Sequence, residues 1–410
     1  MKAGYILLDG CGDRPDPKLN YTTPLEAAYT PNLDAIARSS RLGTVVTVGK
    51  GISPESDIAV FNMLGYSFAE GYPGRGVIEA VGAGLKFNKG DLALRANFAS
   101  ASGRRIVDRR AGRNLTQQEA ELLSEELSGI KLTGAEFEFR ATVSYRAVLV
   151  IRARESLSAA LSNTDPAYAR VGGFGAAKET KPGEEIMRCA PEDDSLPARR
   201  AAKLVNEFTD KSLKVLGRSE VNRSRMGEGK LAANCVLLRD AGDHLPKVAS
   251  FEEKYGMKGT ALVELPAEVG IAKLLGMKMV KVKDRTDMKE KAALFRRELK
   301  DGHLVYVHIK GPDEFGHDGD VVGKMRCIES LDRDFFSGVA KSAGSARIGV
   351  SCDHATPCAL KMHSDDPVPL SISAGGEPDR MRFNERNARK GSLGAMMGRE
   401  VLGRMLAAQS

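Results

Sequence analysis

Asp313 and His317 stand four residues apart, directly after an apolar, β-branched run at 304–309. On a helical turn that spacing sets both side chains on one face. A carboxylate and an imidazole converging just past a buried strand are the start of a divalent-metal site. From this pair alone, a helix cap beside a packed histidine would read the same way. The pattern recurs, however. Asp9 follows the apolar run 3–8, and Asp353 and His354 follow the run 348–351. His363 lies nine residues beyond His354, within reach of folding back. Ser56 precedes a short apolar stretch, where a helix N-terminus favours an anion; taken by itself, a serine there is more simply a cap. Three Asp, three His and one Ser suit two divalent ions with open positions for a substrate. Two cations flanking a serine make a phosphoryl-transfer site. One lowers the effective pKa of the hydroxyl, the other neutralises phosphoryl oxygens during in-line displacement, and the product is a phosphoserine. The donor types admit Mn²⁺, Mg²⁺, Zn²⁺ or Co²⁺. His244, His303 and His308 read as structural, the first in a polar loop and the others within or beside a strand.

These residues need a scaffold that brings them to one edge. Strands are expected at 3–8, 43–48, 234–238, 261–265, 278–282, 304–309, 348–351 and 368–373. Helices are expected at 32–39 (opened by Thr30 and Pro31), 287–300 and 321–339. Strands alternating with helices imply βαβ units, hence an α/β fold with a mostly parallel central sheet flanked by helices. Such sheets bind ligands beyond the carboxyl ends of their strands. From Pro73 the texture changes to glycine-rich turns, short strands and accumulating arginines, with a capped helix from Thr116 to Leu127 and a long β-rich run at 141–152. The glycine-rich stretch 172–178 lacks phosphate-loop spacing and reads as an ordinary turn. The division expected is a metal-binding catalytic domain at 1–72 and 194–410, interrupted by an α+β substrate-covering insertion at 73–193. A helical pattern at 197–216 opens the return.

The 410 residues, 42% hydrophobic, are ample for two domains. The net charge is +7 but dispersed, aromatics are 6% and Trp is absent, which disfavours a nucleic-acid groove and leaves a small phosphorylated anion as the partner. No apolar run approaches a membrane span, and the N-terminal one is too short for a signal peptide. Six scattered cysteines without a Cys-x-x-Cys pair read as reduced thiols. The expectation is a cytoplasmic protein with a small-molecule substrate, no nucleic acid and no membrane; homo-oligomerisation is left open.

Longer motifs carry a resemblance. Asp9-Gly-Cys-Gly-Asp-Arg-Pro15, Ser56-Asp57 with Leu64-Gly-Tyr66, Asp108-Arg-Arg-Ala-Gly-Arg113, Ser144-Tyr-Arg146, Lys310-Gly-Pro-Asp-Glu-Phe-Gly-His-Asp-Gly319, Asp353-His-Ala-Thr-Pro-Cys358 and His363-Ser-Asp-Asp-Pro-Val-Pro369 succeed one another in order. Nearly end to end, the chain resembles the archaeal-type 2,3-bisphosphoglycerate-independent phosphoglycerate mutases of the alkaline phosphatase superfamily. The resemblance implies interconversion of 3- and 2-phosphoglycerate, with Ser56 as the phosphorylated nucleophile. It implies that Asp9, Ser56, Asp353 and His354 bind one ion (Mn²⁺ or Mg²⁺ foremost), and that Asp313, His317 and His363 bind a second. It makes Arg95, Asp108, Arg109, Arg113, Arg146 and Lys310 candidates for holding substrate. The chain departs from the pattern at Glu55, where the family usually has Gly, and at Val60, where it often has His; these bear on rate rather than on the reaction. A metal-dependent phosphohydrolase of the same superfamily is the rival reading, and a non-enzymatic basic binding protein the third.

Overall fold

The apolar runs form the strands of one eight-stranded sheet: β1 (Lys2–Leu8), β2 (Arg41–Val46), β3 (Lys258–Leu262), β4 (Lys278–Met279), β5 (His303–Ile309), β6 (Arg347–Cys352), β7 (Val368–Ile372) and β8 (Gly394–Met397). Their order is β4-β3-β5-β1-β6-β7-β2-β8. The structure is a computed structural model, and it describes every residue except 68–71, 172–173, 178–182, 283, 285, 343, 374–375 and 408–410. Strand β1 is buried from Ala3 to Leu8, as an apolar strand covered on both faces must be. It pairs in parallel with β5 and β6, Leu8 standing level with Ile309 on one side and Cys352 on the other. The next residue of each strand is therefore Asp9, Lys310 or Asp353, side by side at one edge. Only β7 runs against its neighbours, so its N-terminal end, just past His363, lies at the same edge.

Two helices follow strand ends at that edge, α1 (Ser56–Met63) and α2 (Pro312–Asp318), and α3 (Val321–Leu331) comes directly after α2. The single helix expected over 321–339 runs unbroken to Val339, with a π turn inside it. Asp332–Phe336 forms a π turn, and the buried Asp332 carboxylate accepts from the Asn32 and Leu33 amides at 3.3 and 2.7 Å. It thereby serves the start of helix Pro31–Arg38, for which Thr30 was the expected cap; the Thr30 side chain makes no capping bond.

The chain divides into two compact units. One comprises Met1–Ser67, Val248–Glu264 and Ile271–Ser410, and the other Phe68–Lys247 and Leu265–Gly270. The second unit thus extends beyond the expected limit of 193. Strand Cys235–Gly242 pairs antiparallel with Leu92–Ser102, and helix Leu196–Leu216 places Ala201, Val205 and Phe208 in the same core as Leu94, Phe98 and Leu149. An apolar strand reads alike in a parallel or an antiparallel sheet, which is why its allegiance was misplaced. The run 141–152 is likewise not one strand. Ala135–Ala141 and Arg146–Ala153 form a hairpin that turns through Ser144, at φ 55°. Tyr168–Val171 pairs with Phe174–Ala177; the turn expected at 172–178 falls partly outside the described residues, at 172–173 and 178.

Candidate active site

At the edge where β1 and β6 end, three buried ligand-type residues converge: Asp9, Asp353 and His354. The backbone amides of Gly10 and His354 donate to Asp353 Oδ1 at 3.0 and 2.9 Å, which aims Oδ2 away from them. His354 Nε2 stands 3.4 Å from Asp353 Oδ2 and 3.6 Å from Asp9 Oδ1. Both oxygens are buried with no hydrogen-bond partner among the described residues. Buried carboxylate oxygens without donors are rare, and a divalent cation would satisfy both at once. Ser56 Oγ lies 3.1 Å from His354 Nε2. Ser56 is the first residue of α1, and Glu55 takes the capping position, so the serine hydroxyl is turned to the cluster rather than to the helix amides.

Asp313, His317 and His363 form the second triad. His317 Nε2 and His363 Nε2 stand 3.5 and 3.6 Å from the Asp313 oxygens. Each imidazole has its Nδ1 against a backbone carbonyl, Lys361 O at 3.1 Å and Pro54 O at 2.8 Å. With Nδ1–H donating there, both Nε2 lone pairs are left for a cation. The rings of His354 and His363 stack at 3.8 Å between centroids, joining the triads. Gly10, at φ +55°, sits where a Cβ would collide with Asp313 Oδ1, so the loop after β1 can pass only as glycine.

The charges are tuned against one another. Burial pushes Asp9 up to about 7, against the opposing pull of Lys310, whose Nζ lies 3.0 Å from Asp9 Oδ2. Burial also works against ionisation of Asp353, but His354 and His308 outweigh it and hold that carboxyl well below the usual range. Burial lowers His354 to about 4. For His363 burial is overcome by the Asp313 carboxylate, with Glu55 adding, and the imidazole rises to about 9. A cation entering these triads must displace the protons that Asp9 holds below about 7 and His363 below about 9. Affinity for Mn²⁺ is therefore expected to rise about tenfold per pH unit, up to about pH 7 at the triad that holds Asp9 and up to about pH 9 at the triad that holds His363. Calorimetric titration of the metal-free protein checks this; a constant affinity across about pH 6 to 8 would show that neither proton is displaced.

The expected substrate residues other than Lys310 lie in the second unit. Arg109 makes a two-pronged bond to the fully buried Asp165, 2.9 Å from Nε to Oδ1 and 2.6 Å from Nη2 to Oδ2. Arg239 reaches the same carboxylate at 3.2 Å, and both guanidinium groups lie over the Tyr168 ring. Arg95 is buried between Glu79 and Asp240, each at 3.0 Å. Asp108 Oδ1 accepts from the Arg110 and Gly112 amides, closing the loop that carries the exposed Arg113 at φ 57°. Arg146 lies against Tyr145; burial would raise that phenol, but Arg146 and Arg110 outweigh it and lower it. Sequence reasoning missed Asp165, Arg239 and His308. The His308 Nε2 is 3.3 Å from Asp353 Oδ2 and 3.8 Å from Asp9 Oδ1. A lone imidazole near the end of an otherwise apolar buried strand was the available signal, because such a group needs a polar partner.

The family model for 2,3-bisphosphoglycerate-independent phosphoglycerate mutase matches residues 37–222. A protein of that description from Aeropyrum pernix is 42% identical, over 97% of this chain and 97% of its own. Another from Methanopyrus kandleri is 38% identical, over 97% and 94%. The mostly parallel eight-stranded sheet and its surrounding helices define an α/β protein. A solved structure from Pyrococcus horikoshii aligns with a TM-score of 0.78 at 29% identity, over 100% of this chain and 98% of its own, and the cofactor-independent phosphoglycerate mutase of Thermoplasma acidophilum with 0.65 at 30%, over 100% of both. The chain belongs to the family of 2,3-bisphosphoglycerate-independent phosphoglycerate mutases, and it is an enzyme of the isomerase class. Among the described residues no helix is long and apolar enough to cross a membrane.

Proposed function

We propose that the protein interconverts 3-phosphoglycerate and 2-phosphoglycerate through a phosphoserine at Ser56, without a bisphosphoglycerate primer. The observation that carries this reading is the Ser56 hydroxyl, 3.1 Å from His354 Nε2 and beside buried carboxylate oxygens that lack donors. Asp9, Ser56, Asp353 and His354 would hold one divalent ion and Asp313, His317 and His363 another, supplying charge neutralisation for the phosphoryl group and a lowered pKa for the serine. Ser56 Oγ attacks phosphorus, the bond to the glycerate oxygen breaks, and that oxygen takes up a proton. The other glycerate hydroxyl then attacks the phosphoserine, gives up its proton and restores Ser56. Lys310, whose Nζ lies 3.0 Å from Asp9 Oδ2, would meet a phosphoryl oxygen. Glycerate must be retained and kept from water if the phosphoserine is not to hydrolyse.

The test is turnover of 3-phosphoglycerate with Mn²⁺ and no 2,3-bisphosphoglycerate, coupled to enolase, with free phosphate measured in parallel. The expected product is 2-phosphoglycerate without phosphate. Stoichiometric phosphate in its place would make the protein a hydrolase.

A further inference from the structure

Thr356 is fully buried three residues beyond Asp353, and every polar atom it has is engaged. Its amide donates to Gly12 O at 3.1 Å and its carbonyl accepts from Lys324 Nζ at 2.9 Å. Its hydroxyl touches both triads, standing 2.6 Å from Asp313 Oδ1 and 3.1 Å from His354 Nδ1. A hydroxyl has one proton to give. A carboxylate oxygen can only accept, and the shorter contact is to Asp313, so the proton goes there. The remaining contact then requires His354 Nδ1 to be the donor, which makes Nε2 the unprotonated nitrogen. Nε2 is the atom that faces Ser56 Oγ, Asp9 and Asp353. The surroundings are close: a Cβ on Gly10 would come within 2.6 Å of the hydroxyl, and one on Gly316 within 2.5 Å of the Thr356 carbonyl, so both positions need glycine.

We propose that Thr356 is a positioning residue that couples the two cation triads, its hydroxyl orienting Asp313 by donation and fixing the tautomer of His354 by acceptance. The proposal rests on the two-ion reading above. Groups that orient metal ligands in this way are worth about 10- to 100-fold in affinity. Removing one hydroxyl is expected to cost that at both ions rather than at one.

The experiment is calorimetric titration of Mn²⁺ into metal-free wild type, Thr356→Val and Thr356→Ser. Valine keeps the shape and loses the hydroxyl; serine keeps the hydroxyl and loses the methyl. The expected result is two ions on wild type, both bound about 10- to 100-fold more weakly by Thr356→Val, and near-wild-type binding by Thr356→Ser. Wild-type affinity in Thr356→Val, a loss at one ion only, or an equal loss in Thr356→Ser each overturns the coupling while leaving the two-ion reading intact. Fewer than two ions on wild type overturns that reading and the proposal with it. A measurement that depends on no variant folding is the ¹⁵N spectrum of the histidine-labelled metal-free protein. It should show His354 protonated on Nδ1, and protonation on Nε2 alone would overturn the assignment.

Discussion

Ser56→Ala is expected to abolish mutase turnover, by more than about 10⁴-fold in kcat, and to leave the protein folded. The size comes from the role. A missing nucleophile cannot be replaced by better positioning of the groups around it, and no other hydroxyl is described beside His354 Nε2. The fold should be indifferent, because the Ser56 side chain caps no helix: Glu55 occupies that position and the Oγ contact is to His354. Alanine at the first helical position is then a change of about 0.5 kcal/mol or less. Mass spectrometry of acid-quenched wild-type enzyme should find phosphate on the peptide containing Ser56, and the variant should show none. Near-normal turnover in the variant would sink the phosphoserine mechanism. Lost turnover with a phosphorylated peptide elsewhere would move the nucleophile but keep the chemistry.

Much of the site was legible because a parallel sheet turns sequence order into spatial order. Asp9, Asp313 and Asp353 each come after an apolar run, and strands running the same way deliver their succeeding residues to one edge. The pairing of Leu8 with both Ile309 and Cys352 is the structural counterpart of that inference. His363 was legible only as a residue within reach; it arrives because β7 reverses direction, and nothing in a five-residue apolar strand announces its sense. Residues that act through others were harder to see. Thr356, Asp165 and His308 have no spacing signature, since their importance depends on partners 43, 56 or 45 positions away in the chain. The arginines were legible in number but not in pairing. Their number marked the second unit as anionophilic, but Arg95 and Arg109 prove to have buried carboxylate partners, which only three-dimensional neighbours can reveal.

Lys324→Met is expected to destabilise the metal-free protein by about 3–5 kcal/mol at neutral pH. Lys324 lies on α3, completely buried, and its ammonium group makes three hydrogen bonds, to Gly12 O at 3.1 Å, Asp13 Oδ2 at 2.8 Å and Thr356 O at 2.9 Å. Methionine matches the stem and removes the charge. Two carbonyls lose a donor, and the Asp13 carboxylate, which keeps the Cys358 and Arg14 amides as donors, is left without its counter-ion. Urea unfolding of metal-free wild type and variant measures the loss, and a change below about 1 kcal/mol would mean the pair is not a strut. The double variant Lys324→Met with Asp13→Asn separates charge from packing, because it removes the orphaned carboxylate; it should recover part of the loss, whereas equal instability would assign the effect to shape. A second consequence ties this buried pair to chemistry. Gly12 closes the loop that begins at Asp9, and Thr356 closes the loop that begins at Asp353. One ammonium group therefore holds together the two strand exits that carry the first triad, and Mn²⁺ affinity should fall in Lys324→Met even under conditions where the variant remains folded.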